Sequence, residues 1–289
     1  MSRWDGRSKG TATGYRIFIY LIDKFGVKAA YRLLRFVSYY YYLFGGEPKK
    51  NIIRFYRQAL SLPLSEAKKL CRENFYYLGQ TLIDRSAFLL GKGETFTHHF
   101  ENEEYLVELQ QQSRGGILIS AHIGNWETAG NLLHKRISKK INVLMLEAEE
   151  EKIKKVLDET TGGARFNIIA IKNDLSHIVK INNALEANEL IAMHADRYTD
   201  GIKTISLDFF GKKAQFPLGP FLIASKFNAP VTFVFALKDG DFHYELSATK
   251  PLTDKHTPEE IARLYVDELE KKVRKYPGQW FNYYDFYNV

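Results

Sequence analysis

Apolar and polar residues divide this chain into two stretches of different rhythm. Between residues 14 and 44, apolar side chains recur at helical spacing: Tyr15, Phe18, Leu21, Ile22 and Phe25, then Leu33, Leu34, Phe36 and Val37 beyond Gly26. That spacing predicts amphipathic helices. Another helix is expected over 51–60. A longer one is expected from Ser65, a good N-cap following Pro63, to about Leu90. The rhythm changes at Gly115. Short apolar runs at 116–121, 142–146, 166–171 and 190–194 read as buried strands, and 126–136, 149–159 and 175–186 read as helices between them. Strands at 204–209, 231–237 and 242–246, a helix at 217–227 and an amphipathic helix from 258 to about 275 complete the pattern. Strands alternating with helices predict an α/β fold with a single mixed, largely parallel sheet covered by helices. That domain is expected over 96–289, behind a helical section over 14–95. Residues 1–13, polar and Gly-rich, read as a frayed tail.

Charge sharpens the reading of the helical section. Residues 1–60 hold 12 Lys/Arg and 3 Asp/Glu, so +9, whereas the remainder holds 29 basic and 31 acidic residues, so −2. Basic helices interleaved with Leu, Phe and a run of four tyrosines (Tyr39 to Tyr42) have the composition of segments that lie in a membrane interface. The same apolar positions also suit helices packed on a domain, and opposite faces can serve both ends. A nucleic-acid partner fits the charge alone, but no nucleic-acid motif is present and none is expected. No run of ~18–20 uncharged apolar residues occurs, so no spanning helix is expected. Nor does the short run at 17–22 read as a cleavable signal. The single cysteine, Cys71, falls in register with Phe75, Leu78 and Leu82 and reads as a core residue.

The stretch that carries chemistry is Ser120-Ala121-His122-Ile123-Gly124-Asn125-Trp126-Glu127. Its core is His-x4-Glu, a spacing that His98 with Glu103 and His99 with Glu104 also satisfy. Context separates them. His122 leaves a buried strand and Glu127 falls in the first turn of the following helix, and ends of parallel strands are where open α/β sheets place their sites. An imidazole there can take the proton of an attacking hydroxyl. A carboxylate on its other ring nitrogen, here expected to be Glu127, fixes the tautomer and stabilises the imidazolium. Asn125 reads as an N-cap or as a group that orients the acceptor. Arg197 follows a strand end and suits a phosphate, or else an ion pair with Asp196 or Asp200. Arg165 suits an anionic acceptor or a surface role. Gly219 reads as a close-approach position for an acyl chain or as a helix-start glycine. No cysteine–histidine cluster has zinc spacing, and neither metal nor cofactor is expected.

His-x4-Glu after an apolar strand resembles the first motif of the glycerolipid (lysophospholipid) acyltransferase superfamily. His122-Ile123-Gly124-Asn125-Trp126-Glu127 is most similar to that of the bacterial lipid A biosynthesis acyltransferases. Other segments agree in order: His194-Ala195-Asp196-Arg197, Phe209-Phe210-Gly211, Phe216-Pro217-Leu218-Gly219, Ala229-Pro230-Val231 and Tyr276-Pro277-Gly278-Gln279-Trp280. Asp196-Arg197 stands where the family usually has Asp-Gln, which leaves the acceptor more open than the reaction. With the basic, aromatic segment over residues 1–60, a peripheral or monotopic protein on the cytoplasmic face of a bacterial inner membrane is expected, and a monomer. The resemblance implies catalysis by His122 and Glu127, with Asp196 in the family's acidic motif. The implied reaction carries a fatty acyl chain from an acyl carrier protein or acyl-CoA thioester to a lipid A-like acceptor. A lysophospholipid or amino-acid lipid acceptor, or a peripheral membrane-binding protein without catalysis, are the alternatives.

Overall fold

The computed structural model describes residues 12–133, 137–146, 166–171, 174–199 and 201–287. The expected helix at 149–159 and Arg165 lie outside the described residues. Three helices come first: α1 (Ala12–Leu43), α2 (Gly46–Ala59) and α3 (Leu64–Leu89). The alternation then runs β1 (Thr97–Glu101), α4 (Glu103–Gln111), β2 (Gly116–Ser120), α5 (Trp126–Leu133), β3 (Ile141–Leu146), β4 (Asn167–Ile171), α6 (Ser176–Glu186) and β5 (Leu190–His194). It closes with β6 (Thr204–Phe209), β7 (Lys212–Pro217), α7 (Gly219–Lys226), β8 (Val231–Lys238), β9 (His243–Ala248) and α8 (Pro258–Lys275).

Seven strands form one sheet in the order β1-β9-β8-β2-β5-β3-β4, with β6 and β7 as a separate hairpin. The strands β8, β2, β5, β3 and β4 are mutually parallel; β9 is antiparallel to β8, and β1 is parallel to β9. The expected mixed, largely parallel α/β architecture is therefore the observed one. β2 sits at the centre, and every residue of its Gly-Ile-Leu-Ile-Ser run is buried, as a strand covered on both faces requires.

Alternation along the strands assigns the two faces. Ile117, Ile119, Ile191, Met193 and Phe233 share a core with Tyr265, Val266 and Leu269 of α8. On the other face Leu118, Ala236 and Leu246 share a core with Ile22, Ala30 and Leu34 of α1 and Ile83 of α3. The helical section and the sheet thus share cores, and α2 contributes Phe55 and Tyr56 to the first of them. Cys71 lies in that core, where burial pushes its thiol up to about 12, so it is a small core residue as its helical register suggested.

Several local expectations needed correction. Ser65 does not cap α3: the N-cap is Pro63 and makes no side-chain hydrogen bond. β1 carries the Thr-His-His-Phe-Glu run at a sheet edge, where exposure alternates with partial burial. The polar strand β7 pairs with β6 through a two-residue turn at Phe210-Gly211. Neither β1 nor β7 has the apolar content by which a strand shows itself in sequence. The aromatic C-terminal segment packs inward. Trp280, Phe281 and Phe286 are buried, and Trp280 stacks edge-on against Phe55 with ring centroids 4.6 Å apart.

Candidate active site

The site is built by strand register. Ser120, the last residue of β2, is paired with His194, the last of β5. The ladder continues one step further, where the Ala195 amide donates to the Ser120 carbonyl at 3.1 Å. Two residues beyond that pair stand His122 and Asp196, and they are in direct contact. The His122 ring nitrogen Nδ1 is 2.8 Å from Asp196 Oδ1, and the His122 backbone amide donates to Asp196 Oδ2 at 3.0 Å. Trp280 Nε1 donates to Oδ2 as well, at 3.2 Å.

Asp196 is fully buried. Burial alone would raise its carboxyl, but His122 and Arg197 reverse that and hold it below the usual carboxylate range. Asp196 is therefore ionised and accepts from Nδ1–H, so Nε2 carries the lone pair. Beside it, His194 is pushed down to about 3, chiefly by burial and then by the neighbouring His122, and stays neutral. Its ring lies 4.3 Å from that of His122, centroid to centroid.

The loop after β2 owes its shape to three contacts. Gly124 has φ +66, and a Cβ there would meet the Ala236 carbonyl oxygen at 2.0 Å, so no other residue fits. The Gly124 amide donates to the Gln279 carbonyl at 3.0 Å, and the Phe281 amide donates to the His122 carbonyl at 2.9 Å. The C-terminal segment thus braces the histidine from behind. Asn125 then caps α5, its Oδ1 accepting from the Thr128 amide at 3.2 Å. Its amide nitrogen donates to the Thr81 carbonyl and the Tyr244 hydroxyl, each at 3.3 Å.

A cavity of about 750 Å³ opens in front of His122, within the range of small-molecule sites. Its floor is one face of the sheet: Leu118 and Ser120 of β2, Ala192 and His194 of β5, Val234 and Ala236 of β8. The short side chains of Ser120, Ala192 and Ala236 leave room beneath Trp126, Ala129 and Gly130 of α5, which also line it. The interior is mostly apolar, with Phe88, Phe100, Leu106 and Leu246 towards the β1 edge and Val143 and Met145 towards β4. The polar lining includes Glu127, Arg85 and Arg197 as well as His122.

Of the residues singled out in the sequence, His122, Glu127, Arg197 and Gly219 line this cavity. Asp196 stands behind His122. The expectation that Glu127 engages the His122 ring is corrected: Asp196 holds that position. Glu127 Oε1 instead accepts from Arg85 Nη1 at 3.2 Å. Of the two readings of Asn125 the helix cap is the observed one: its side chain is buried and spent on α5, Thr81 and Tyr244 and does not line the cavity. Arg197 donates to the Phe281 carbonyl. Gly219 is the first residue of α7, and a Cβ there would meet nothing within 4 Å. His98 and His99 lie on β1, where His99 Nδ1 is 2.9 Å from Glu245 Oε2, and neither lines the cavity. Arg85 and the indole of Trp280 were not foreseen as parts of the site. Arg85 lies in the middle of a helix with no local motif, and nothing in one sequence tells which residue its side chain meets.

A histidine–carboxylate pair at the C-terminal ends of parallel strands, facing an apolar cavity, is the kind of site an α/β enzyme of hydrophobic substrates presents. The family comparison is specific. The model of bacterial lipid A biosynthesis acyltransferases matches residues 15–283, so the chain belongs to that family and is an acyltransferase of the lipid A type. No curated protein matches the sequence. Among the described residues, no helix is long and apolar enough to cross a membrane.

Proposed function

We propose that this protein moves a fatty acyl chain from a thioester donor, carried on an acyl carrier protein or on CoA, to a hydroxyl of a lipid A-like lipid or glycolipid. The observation that carries the reading is the His122–Asp196 pair at the mouth of the apolar cavity. Asp196 fixes the proton on Nδ1, so Nε2 is the base. It takes the acceptor hydroxyl proton as the oxygen attacks the thioester carbonyl. The tetrahedral adduct collapses, the C–S bond breaks, and the imidazolium returns its proton to the departing thiolate. Ester and free thiol are the products, and the charge balances without a metal or cofactor.

Glu127 is the second carboxylate at the cavity. With Oε1 engaged by Arg85, it holds the acceptor hydroxyl against Nε2. The acyl chain lies along the apolar floor, and Arg197 meets an anionic group of acceptor or donor, a task suited to a planar guanidinium.

The protein works on the cytoplasmic face of a bacterial inner membrane. α1 supports this with two apolar faces. Ile22, Val27, Ala30 and Leu34 are buried, while Tyr20, Phe25, Phe36 and Tyr40 are exposed, Phe36 at 76%. Exposed aromatics beside exposed Lys24, Lys28, Arg32 and Arg35 suit an anionic lipid surface. Incubating the protein with acyl-carrier and acyl-CoA donors and a lipid extract, followed by mass spectrometry, tests the reading. An acylated lipid supports it; free fatty acid without acylated lipid would make the protein a thioester hydrolase.

A further inference from the structure

Arg85 of α3 lines the cavity, and Tyr15 from the start of α1 touches Arg85 from behind. Arg85 bridges two partners. Nη1 donates to Glu127 Oε1 at 3.2 Å, and Nη2 donates to the Tyr15 hydroxyl at 3.0 Å. Ser86 Oγ is 3.3 Å from the same hydroxyl. Glu127 beside it, with Tyr15, holds the Arg85 guanidinium above its ordinary pKa despite burial, so the charge persists at any working pH.

One residue earlier, Asp84 turns into the core. It pairs with Lys238 and accepts from the Tyr31 and Tyr244 hydroxyls. Lys238 Nζ also donates to the Tyr31 hydroxyl at 2.6 Å. This cluster is shut away from water, with Asp84 at 0% exposure and Lys238 and Tyr31 at 4%. A buried ionic cluster whose members are all hydrogen-bonded is costly to open from one side.

Beside the apolar core that α1 and α3 share, Tyr31 and Tyr15 tie the two helices by polar contacts of unequal burial. Tyr31 is fixed in the buried cluster. Tyr15 rests on a part-buried guanidinium. Between them Gly26 breaks the helix with φ 77 and ψ 172, a conformation that glycine adopts freely. The half of α1 ahead of this kink carries Tyr15 inward and exposes Ile17, Tyr20 and Phe25, at 48%, 57% and 64%. The segment assigned above to the lipid surface is thus the one whose phenol completes the Arg85–Glu127 pair.

We propose that Arg85 and Tyr15 are positioning residues for Glu127, through which the leading half of α1 sets the carboxylate that holds the acceptor. The inference rests on the catalytic reading of Glu127. Tyr15 fixes the guanidinium fork, the fork fixes Oε1, and the orientation of Glu127 depends on how α1 is seated. Lipid contact by Ile17, Tyr20 and Phe25 and the geometry of Glu127 are in this way one coupled event.

The test is a double-mutant cycle on the full-length protein, with kcat and acceptor KM measured on vesicles containing acceptor lipid. Tyr15→Phe removes one oxygen and leaves the ring, so it spares the packing of α1. It lowers kcat about 3- to 10-fold, the worth of one hydrogen bond, with the acceptor KM unchanged. Arg85→Gln lowers kcat further, Arg85→Lys restores part of it, and adding Tyr15→Phe to Arg85→Gln costs nothing more, because the hydroxyl acts only through the guanidinium. Full activity in Tyr15→Phe overturns the proposal even if Arg85→Gln fails to fold, and an equal loss from Tyr15→Phe in both folded backgrounds overturns it as well. Glu127→Gln, run alongside, separates the two failures. If it transfers at the wild-type rate, the catalytic reading of Glu127 falls and takes this proposal with it. If it is impaired while the Tyr15 and Arg85 effects are independent, only the linkage falls.

Discussion

Asp196 accepts from His122 Nδ1 at 2.8 Å across 74 positions of sequence, while Glu127, in the next helix, turns to Arg85. The two carboxylates at this site therefore have separate tasks, and they respond differently to substitution. Asp196→Asn keeps the shape but loses the charge and the preference for a proton on Nδ1. The expected loss in kcat is ~10²–10⁴-fold, the usual contribution of a correctly protonated base. Steady-state kinetics on the purified, folded variant measure it, and a loss under fivefold would remove Asp196 from the mechanism.

Trp280 has two functions that substitution can divide. Its indole N–H donates to Asp196 Oδ2 at 3.2 Å, and its ring fills the aromatic core around Phe55 and Phe286. Trp280→Phe keeps most of the ring, so it lowers kcat several-fold with a modest fall in melting temperature. Trp280→Ala removes a fully buried aromatic and costs about 3–5 kcal/mol of stability. Denaturant unfolding read beside turnover distinguishes them. Wild-type turnover in Trp280→Phe would mean the N–H contributes nothing to the site.

His194 gives a pH signature. Its imidazole titrates near 6.5 in the unfolded chain but is pushed down to about 3 in the fold, first by burial. Between those values the unfolded chain binds more protons, so stability falls as pH drops from about 6.5 towards 3. Asp196, whose folded value is also depressed, adds a second loss below about pH 4. The melting temperature of wild type is expected to fall between pH 7 and 4.5, and His194→Gln, which cannot titrate, flattens that slope. An identical slope in the variant would refute the assignment.

The width of the cavity floor depends on small residues. Ala192 of β5 lines it between Leu118 and Val143 of the flanking strands. Ala192→Leu narrows the acyl path and shifts preference towards shorter donors, by roughly tenfold or more in the ratio of kcat/KM for short over long chains. An unchanged ratio across a chain-length series would place the acyl chain elsewhere.

Much of this protein was legible in its sequence, for physical reasons. β2 and β5 are uninterrupted apolar runs because parallel strands are buried on both faces, and that composition marks them. Asn125 announced a helix cap, and the cap is present. What stayed hidden depends on distance along the chain. The pairing of Ser120 with His194 brings Asp196 to His122, yet spacing within one segment pointed to Glu127. β1 and β7 were missed because an edge strand and a hairpin arm carry polar side chains that do not alternate clearly. The role of Arg85 depends on how α3 is rotated against α5, which no local pattern states.

The central claim is that His122 is the base of an acyl transfer, and one measurement tests it most directly. Wild type and His122→Ala, both confirmed folded by thermal unfolding, are given the same acyl thioester and acceptor lipid, and the acylated product is followed by mass spectrometry. The account predicts an acceptor heavier by one acyl group in wild type and a rate at least ~10²-fold lower in the variant. Acylated lipid formed by His122→Ala at close to the wild-type rate would contradict it.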